Sequence, residues 1–306
     1  MINNLLTSED YKRQGYWFLN IAWDNVFDVL IDYENYVEYS RSSLNHDYSQ
    51  YLDCEISQQD TAFIEFCKKA SSDVDYLETV KHEYMYDSQK KISLALALSQ
   101  QGAELILKSK IAEVSPYLLI AAQPKDWPKR CDKNDIEFTE FRTIDAHDLI
   151  RVFNTVCPER LPENFVIEFN SFRQKRNSVF HSVNVCQDTS EAVISYILNI
   201  ANICDIETLW TIIRQEYLED SSGAKAINVE QFSDRLCCEM QIMIDILDNN
   251  KLIKYFDFDK KKRKYVCPNC YGGLNYKEKL PMTAQLKPNN SKSTTLFCFV
   301  LFVITP

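Results

Sequence analysis

Glycine and proline are scarce in this chain, which has 5 Gly and 9 Pro among its 306 residues. Because these residues mark turns and interrupt regular structure, their scarcity favours long helices over many short strands. Histidine is also rare, with four residues. His46, His82 and His147 show no metal-ligand spacing, so they are interpreted as residues of a loop and of helix surfaces. The composition predicts an all-α fold.

The chain also lacks the apolar segments that direct proteins to membranes. The N-terminal residues "MINNLLTSEDYKRQ" contain no basic stretch followed by an apolar one, as a secretory signal would. No run of about 20 apolar residues occurs, and the apolar run over residues 295–306 is too short to span a bilayer. We therefore expect a cytoplasmic protein with no membrane partner. Its 11 Cys residues are expected mainly as free thiols and not as a disulfide framework.

Positive charge is scarce in the N-terminal region. Residues 1–60 contain 11 Asp or Glu and 3 Lys or Arg, a net charge of −8, which leaves −2 of the total −10 for all other residues. The overall acidity therefore does not argue against a nucleic-acid partner. Two basic clusters predict contacts with the phosphates of a nucleic acid. They consist of Arg173, Lys175 and Arg176, and of Lys260, Lys261, Lys262, Arg263 and Lys264.

The hydrophobic periodicity predicts a series of helices. They are expected from Thr7 to about residue 39, over about 59–70, over 74–114 as one or two helices, from an N-cap at Thr143 to about Val156, from about Pro162 through the motif below, from Asp188 to about Tyr217, and over about 229–248. The segment "KLIKYFDF" (251–258) is strand-like. Three regions are predicted: an acidic, aromatic-rich helical region (1–72), a helical bundle (73–250) and a basic tail (251–306).

The basic tail contains part of a zinc-ribbon pattern. Cys267 and Cys270 form a Cys-Pro-x-Cys turn followed by glycines, and Cys298 follows later. A fourth thiolate is expected at position 301, where this chain has Leu301. Structural zinc is usually held by four ligands, so the three cysteines predict an incomplete site in an irregular, ribbon-like tail. A disordered polar tail is the alternative interpretation.

One predicted helix places an Arg, an amide and a His together. Asn177 and His181 are four residues apart, so they share one helix face, and the long side chain of Arg176 can extend toward the same region. A guanidinium binds phosphate oxygens bidentately, and an imidazole transfers protons near neutral pH. The three residues are therefore candidates for catalysis on a phosphodiester. The alternative is a chance spacing of a surface Arg and a structural His.

The segment "FRQKRNSVFHS" (172–182) resembles the motif helix of the HEPN superfamily. Residues 96–114 and 141–156 resemble the first and second helices of that family, so the resemblance covers about residues 75–250. It implies a HEPN-like helical bundle that acts as a metal-independent endoribonuclease and requires no catalytic cofactor. It also implies a homodimer whose two motif helices face each other, and a setting of toxin–antitoxin or anti-phage defence with a partner such as an antitoxin.

In that interpretation, His181 acts as general acid or base, Arg176 neutralises the scissile phosphate, and Asn177 orients the imidazole or the phosphate. Two other interpretations stay open. Some members of the family are inactive, so the bundle could serve as a dimerisation, interaction or RNA-binding module, with the acidic N-terminal region as a partner surface or as a cover for a basic groove. The third interpretation is a zinc-ribbon nucleic-acid binder with a helical accessory domain.

Overall fold

The fold is described from a computed structural model. It describes residues 2–43, 61–121, 123, 125, 127–129, 134–181, 188–204, 209–220 and 229–262. These residues form eight α-helices: α1 (Ser8–Ser43), α2 (Thr61–Val114), α3 (Ala146–Val156), α4 (Glu163–His181), α5 (Ser190–Cys204), α6 (Trp210–Asp220), α7 (Val229–Ile246) and α8 (Asn249–Phe256). The described part is mostly helical, so the predicted all-α class is confirmed.

Two very short strands accompany the helices. Strand β1 (Ile2–Asn3) pairs in parallel with β2 (Ile136–Glu137). The side chain of Asn4 donates a hydrogen bond to Glu137 at 2.8 Å, next to the end of β1. This contact attaches the segment before α1 to the chain between α2 and α3.

Helices α1 and α2 approach each other closely at two glycines. A Cβ atom added to Gly102 would lie 2.6 Å from the side chain of Leu19 and 3.0 Å from the carbonyl oxygen of Gly15. A Cβ atom on Gly15 would lie 2.8 Å from the side chain of Ile106. A larger residue at either position would require the side chain of Leu19 or Ile106 to move, since real Cβ contacts are not this short.

One hydrophobic core joins α1 to the helices that follow it. Trp23 and Phe27 of α1 are buried in the same cluster as Phe165 and Phe169 of α4 and Tyr196 of α5. The region boundary predicted between residues 72 and 73 falls inside α2, and the boundary predicted after residue 250 falls inside α8. In the described part, the acidic N-terminal region thus contributes a core helix.

A buried ionic cluster connects α1, α6 and α7. Arg214 donates to Glu239 through Nε at 3.1 Å and through Nη2 at 2.8 Å, and both side chains are fully buried. Arg214 also bonds to Asp24 of α1, and the Trp23 indole donates to Glu239 at 2.9 Å. Burial disfavours the charged form of Arg214 and by itself would lower its pKa. The negative charges of Glu239 and Asp24 outweigh this effect, so the pKa of the guanidinium is raised.

Four sequence-based predictions of secondary structure are wrong. The short helix predicted over about 59–70 is not separate from the helix predicted over 74–114, because α2 is continuous from Thr61 to Val114. The N-cap of α3 is Asp145 and not Thr143. The helix predicted from Asp188 to about Tyr217 is not continuous, because α5 ends at Cys204 and α6 begins at Trp210 after the non-helical Leu209. The start of this helix lies close to the predicted one, because α5 begins at Ser190 and Oγ1 of Thr189 accepts a hydrogen bond from the Ala192 amide at 3.2 Å.

The strand-like segment over residues 251–258 is helical up to Phe256. The Asp248 carboxylate accepts hydrogen bonds from the amides of Asn250 and Lys251 at 2.8 and 3.0 Å, so it starts α8 as an N-cap. Burial of Phe256 in the core completes the helix. Local capping and tertiary packing override the strand propensity of this segment.

No described helix combines the length and apolar character that crossing a bilayer requires.

Candidate functional site

Helix α4 carries the predicted motif, and its phenylalanines fix its orientation. Phe165, Phe169 and Phe172 are buried, and the Phe172 ring stacks on Tyr196 of α5 at a centroid distance of 3.8 Å. Arg176 follows Phe172 by about one helical turn. Arg176 therefore lies on the side of α4 that packs against the other helices.

The Arg176 guanidinium contacts a carboxylate of α2. Its Nη2 atom donates to Oε1 of Glu104 at 2.7 Å. The Arg176 side chain is 26% exposed and that of Glu104 is 10% exposed. A charge-assisted bond of this length, in a partly desolvated position, fixes the cation more firmly than a surface ion pair would.

Glu104 itself belongs to a hydrogen-bonded chain that reaches α5. Gln100 donates from Nε2 to Oε1 of Glu104 at 3.3 Å, and the Tyr196 hydroxyl donates to Oε1 of Gln100 at 2.7 Å. Gln100 and Tyr196 are fully buried. We call the four residues Tyr196, Gln100, Glu104 and Arg176 the relay.

A second cation lies one turn further along α2. The ammonium of Lys108 donates to the Thr143 hydroxyl at 3.0 Å. Burial lowers the pKa of Lys108, and the negative charges of Glu104 and Asp145 partly oppose that effect. Lys108 thus has a partly desolvated ammonium whose positive charge interacts with the negative charge of Glu104.

The other two motif residues occupy different positions on α4. Asn177 is exposed. It follows Arg176 by one residue, so the two side chains leave the helix axis at directions about 100° apart. His181 is the last residue of α4, and its side chain lies outside the described part. The predicted meeting of the three side chains stays a prediction.

The exposed surface of α4 is partly apolar. The side chains of Ile167 and Phe180 are 65% and 61% exposed. The two residues are 13 positions apart, so they lie about 20 Å apart along the axis and about 140° apart around it. They are therefore single exposed apolar residues and not one continuous patch.

The two remaining basic residues of the motif cluster differ in their contacts. Lys175 forms an ion pair with the buried Asp188, and its ammonium lies 5.5 Å from the centre of the Phe172 ring. Arg173 is half-buried, and its Nε atom has no hydrogen-bond partner in the part of the chain that the structure describes. Lys175 is thus paired with a carboxylate, whereas the Nε atom of Arg173 is buried without a partner among the described residues.

The second basic cluster is described only at its beginning. The Lys260 ammonium donates to the carbonyl of Leu247 at 2.9 Å, just after α7 ends. Lys261 and Lys262 are exposed. The other predicted residues of the tail lie outside the described residues: Arg263, Lys264, Cys267, Cys270 and Cys298. Within the described ranges, no three His, Cys, Asp or Glu side chains are grouped as a metal site would require.

Sequence reasoning missed the partners of Arg176. Gln100, Glu104 and Lys108 follow one another at intervals of four residues, which places them on one face of α2. This polar stripe within the largely apolar segment over residues 92–112 was a visible signal for a buried site. The identity of its partner was not visible, since Arg176 lies 72 residues after Glu104.

No family model, curated protein or solved structure matches the chain significantly. Function must therefore be inferred from the residues of α2, α4 and α5 and from their contacts.

Proposed function

We propose that this protein is a metal-independent endoribonuclease of HEPN type. The observation that supports the proposal best is the bond between Arg176 and Glu104. It holds a permanent cation in a defined position on the helix that also contains Asn177 and His181. Arginine has five donors, so one bond to Glu104 leaves donors for a phosphate. The motif arginine is thus suited to bind an anion at a fixed place.

The proposed reaction is transesterification at an RNA phosphate. The ribose 2′-OH, which DNA lacks, attacks phosphorus and gives up its proton to a general base. The bond from phosphorus to the 5′ oxygen breaks, and a general acid protonates that leaving oxygen. The products are a 2′,3′-cyclic phosphate and a 5′-OH end. Arg176 stabilises the negative charge that increases on the phosphate oxygens in the transition state.

His181 supplies the acid or the base in this reaction, and Asn177 orients the imidazole or donates to the phosphate. Because the motif has one His per chain, a homodimer with facing motif helices would supply both groups. The basic residues Arg173, Lys175 and Lys260–Lys264 contact the RNA backbone.

The proposed setting is the cytoplasm, in toxin–antitoxin or anti-phage defence, where an antitoxin or another partner controls the activity. Catalysis requires no cofactor. Cys267, Cys270 and Cys298 would hold a structural zinc ion in the ribbon-like tail if another residue completed the site.

A second function is favoured by a specific contact. Because Glu104 already neutralises Arg176, the helix α4 is also compatible with an inactive module that dimerises or binds RNA. In that case the ion pair is a structural connection between α2 and α4, and the motif residues do not contact a reacting group.

Cleavage of RNA by the purified full-length chain in the presence of EDTA distinguishes the two functions. We expect cleavage to persist and to leave 2′,3′-cyclic phosphate ends. Arg176→Ala and His181→Ala should each lower the rate by roughly 10²-fold or more, the scale of lost electrostatic or acid–base catalysis. Matched controls are Arg151→Ala and His147→Ala, two exposed residues of α3, which should leave the rate unchanged.

Equal activity of both motif variants and the wild type would contradict the catalytic assignment. Loss of wild-type activity in EDTA would contradict the metal-independent mechanism. Absence of cleavage by an intact dimer that binds RNA would favour the inactive module.

A further inference from the structure

We infer that Tyr196 and Gln100 are positioning residues that orient Arg176 through Glu104. This inference depends on the proposed ribonuclease function, and it adds two residues that the sequence motif does not contain. The residues belong to three different helices: α5 provides Tyr196, α2 provides Gln100 and Glu104, and α4 provides Arg176.

The hydrogen-bond direction along the relay is fixed by the charge at one end. An ionised carboxylate only accepts hydrogen bonds, so both Arg176 and Gln100 must donate to Glu104. The Gln100 amide therefore presents its nitrogen to Glu104, at 3.3 Å, and its oxygen to Tyr196. The Tyr196 hydroxyl must donate to that oxygen, and this bond is 2.7 Å long.

The burial of the relay argues against a purely structural role. Tyr196 and Gln100 are fully buried, and a buried polar group lowers stability unless it is paired. Apolar side chains of similar size often stabilise a core as well as a buried ionic network does. A polar chain that ends at a motif cation is better explained by the orientation that it gives to that cation.

The exposed end of the relay is the guanidinium that the proposed reaction uses. Arg176 is bonded to Glu104 through Nη2, and its Nε atom is buried without a hydrogen-bond partner among the described residues, so the donors left for a phosphate are those of the terminal guanidinium nitrogens. The side chain is partly exposed. Glu104 therefore restricts the guanidinium to one orientation while other donors stay available for a phosphate, and the buried amide and hydroxyl restrict Glu104 in turn.

A double-mutant cycle on full-length protein tests the inference. Tyr196→Phe removes the hydroxyl and keeps the ring that stacks on Phe172. We expect it to lower kcat for RNA cleavage by roughly 10-fold, the scale of a misplaced catalytic group, with little change in KM. In an Arg176→Ala background, Tyr196→Phe should cause no further loss, because the residue on which it acts is absent.

Tyr84→Phe is the matched control. The Tyr84 hydroxyl donates to the carbonyl of Val29 at 2.9 Å, between α2 and α1. The substitution therefore removes one tyrosine hydrogen bond at a position distant in sequence from the motif. This variant should cleave RNA at the wild-type rate in both backgrounds.

A second measurement does not require activity. In protein labelled with ¹⁵N-arginine, the Nε–H signal of Arg176, assigned by its loss in Arg176→Ala, should be sharp in the wild type. It should broaden in Glu104→Ala and in Tyr196→Phe, and it should stay sharp in Tyr84→Phe.

The outcomes distinguish a failure of this inference from a failure of the proposed ribonuclease function on which it depends. A wild-type protein that does not cleave RNA contradicts the proposed function, and with it the catalytic purpose of the relay. An active wild type with equally active Tyr196→Phe overturns the inference alone. Equal losses from Tyr196→Phe in the two backgrounds, or an Arg176 signal that Tyr196→Phe leaves unchanged, also overturn it. Either of these last two results would mean that the Tyr196 hydroxyl acts independently of Arg176.

Discussion

Replacement of Arg214 with alanine should lower the free energy of unfolding by about 3 kcal/mol. Truncating one partner of a buried ion pair typically costs 3–5 kcal/mol, because the other charge stays buried without its partner. Here Glu239 would keep two donors, the Trp23 indole at 2.9 Å and the Arg235 Nε at 2.7 Å. We therefore expect a loss at the lower end of that range, while the protein still folds.

Urea unfolding followed by circular dichroism measures this loss, with Arg235→Ala as the matched control. Arg235 shares Glu239 as a partner, but its side chain is partly exposed and also pairs with the half-exposed Asp28. Its removal should cost about 1 kcal/mol. If Arg214→Ala and Arg235→Ala reduced stability equally at an unchanged denaturant slope, the argument from burial would be refuted.

Three further predictions concern packing, assembly and RNA binding. Gly102→Val should lower the free energy of unfolding by about 2 kcal/mol, because its side chain would overlap Leu19; a stability equal to wild type in urea would show that the helices separate without cost. Light scattering at micromolar concentration should give about twice the chain mass of 35.8 kDa, and a strictly monomeric enzyme that cleaves RNA would exclude a composite site. The double variant Lys261→Gln with Lys262→Gln should weaken binding evenly across RNA sequences and reduce the salt slope by about 2; fluorescence anisotropy over a salt series would show an unchanged slope if neither lysine contacts a phosphate.

The helical class and the register of α4 could be predicted because both depend on local sequence. The scarcity of glycine and the spacing of Phe165, Phe169 and Phe172 need no knowledge of distant contacts. The bond between Arg176 and Glu104 could not be predicted in this way, because it depends on how α2 packs against α4. The helix over Asn249–Phe256 was mispredicted because one N-cap at Asp248 outweighs the strand propensity of the residues that follow it.

The direction of side chains on α4 shows the same limit. Spacing alone predicted that Arg176 could extend toward the face of Asn177 and His181. The structure shows that its guanidinium also has a carboxylate partner on α2, while the side chain of His181 lies outside the described part. A long side chain can point to several places from one Cα position, and the choice among them depends on buried partners that the local pattern does not reveal.

The length of α2 has a consequence for measurements of assembly. At about 1.5 Å per residue, its 54 residues extend for about 80 Å. A compact domain of 306 residues has a radius of gyration of only about 19 Å. A particle that contains such a rod diffuses more slowly than a sphere of equal mass. In size-exclusion chromatography, a single copy would therefore elute early and imitate a pair, so elution volume alone is a poor measure of stoichiometry for this protein.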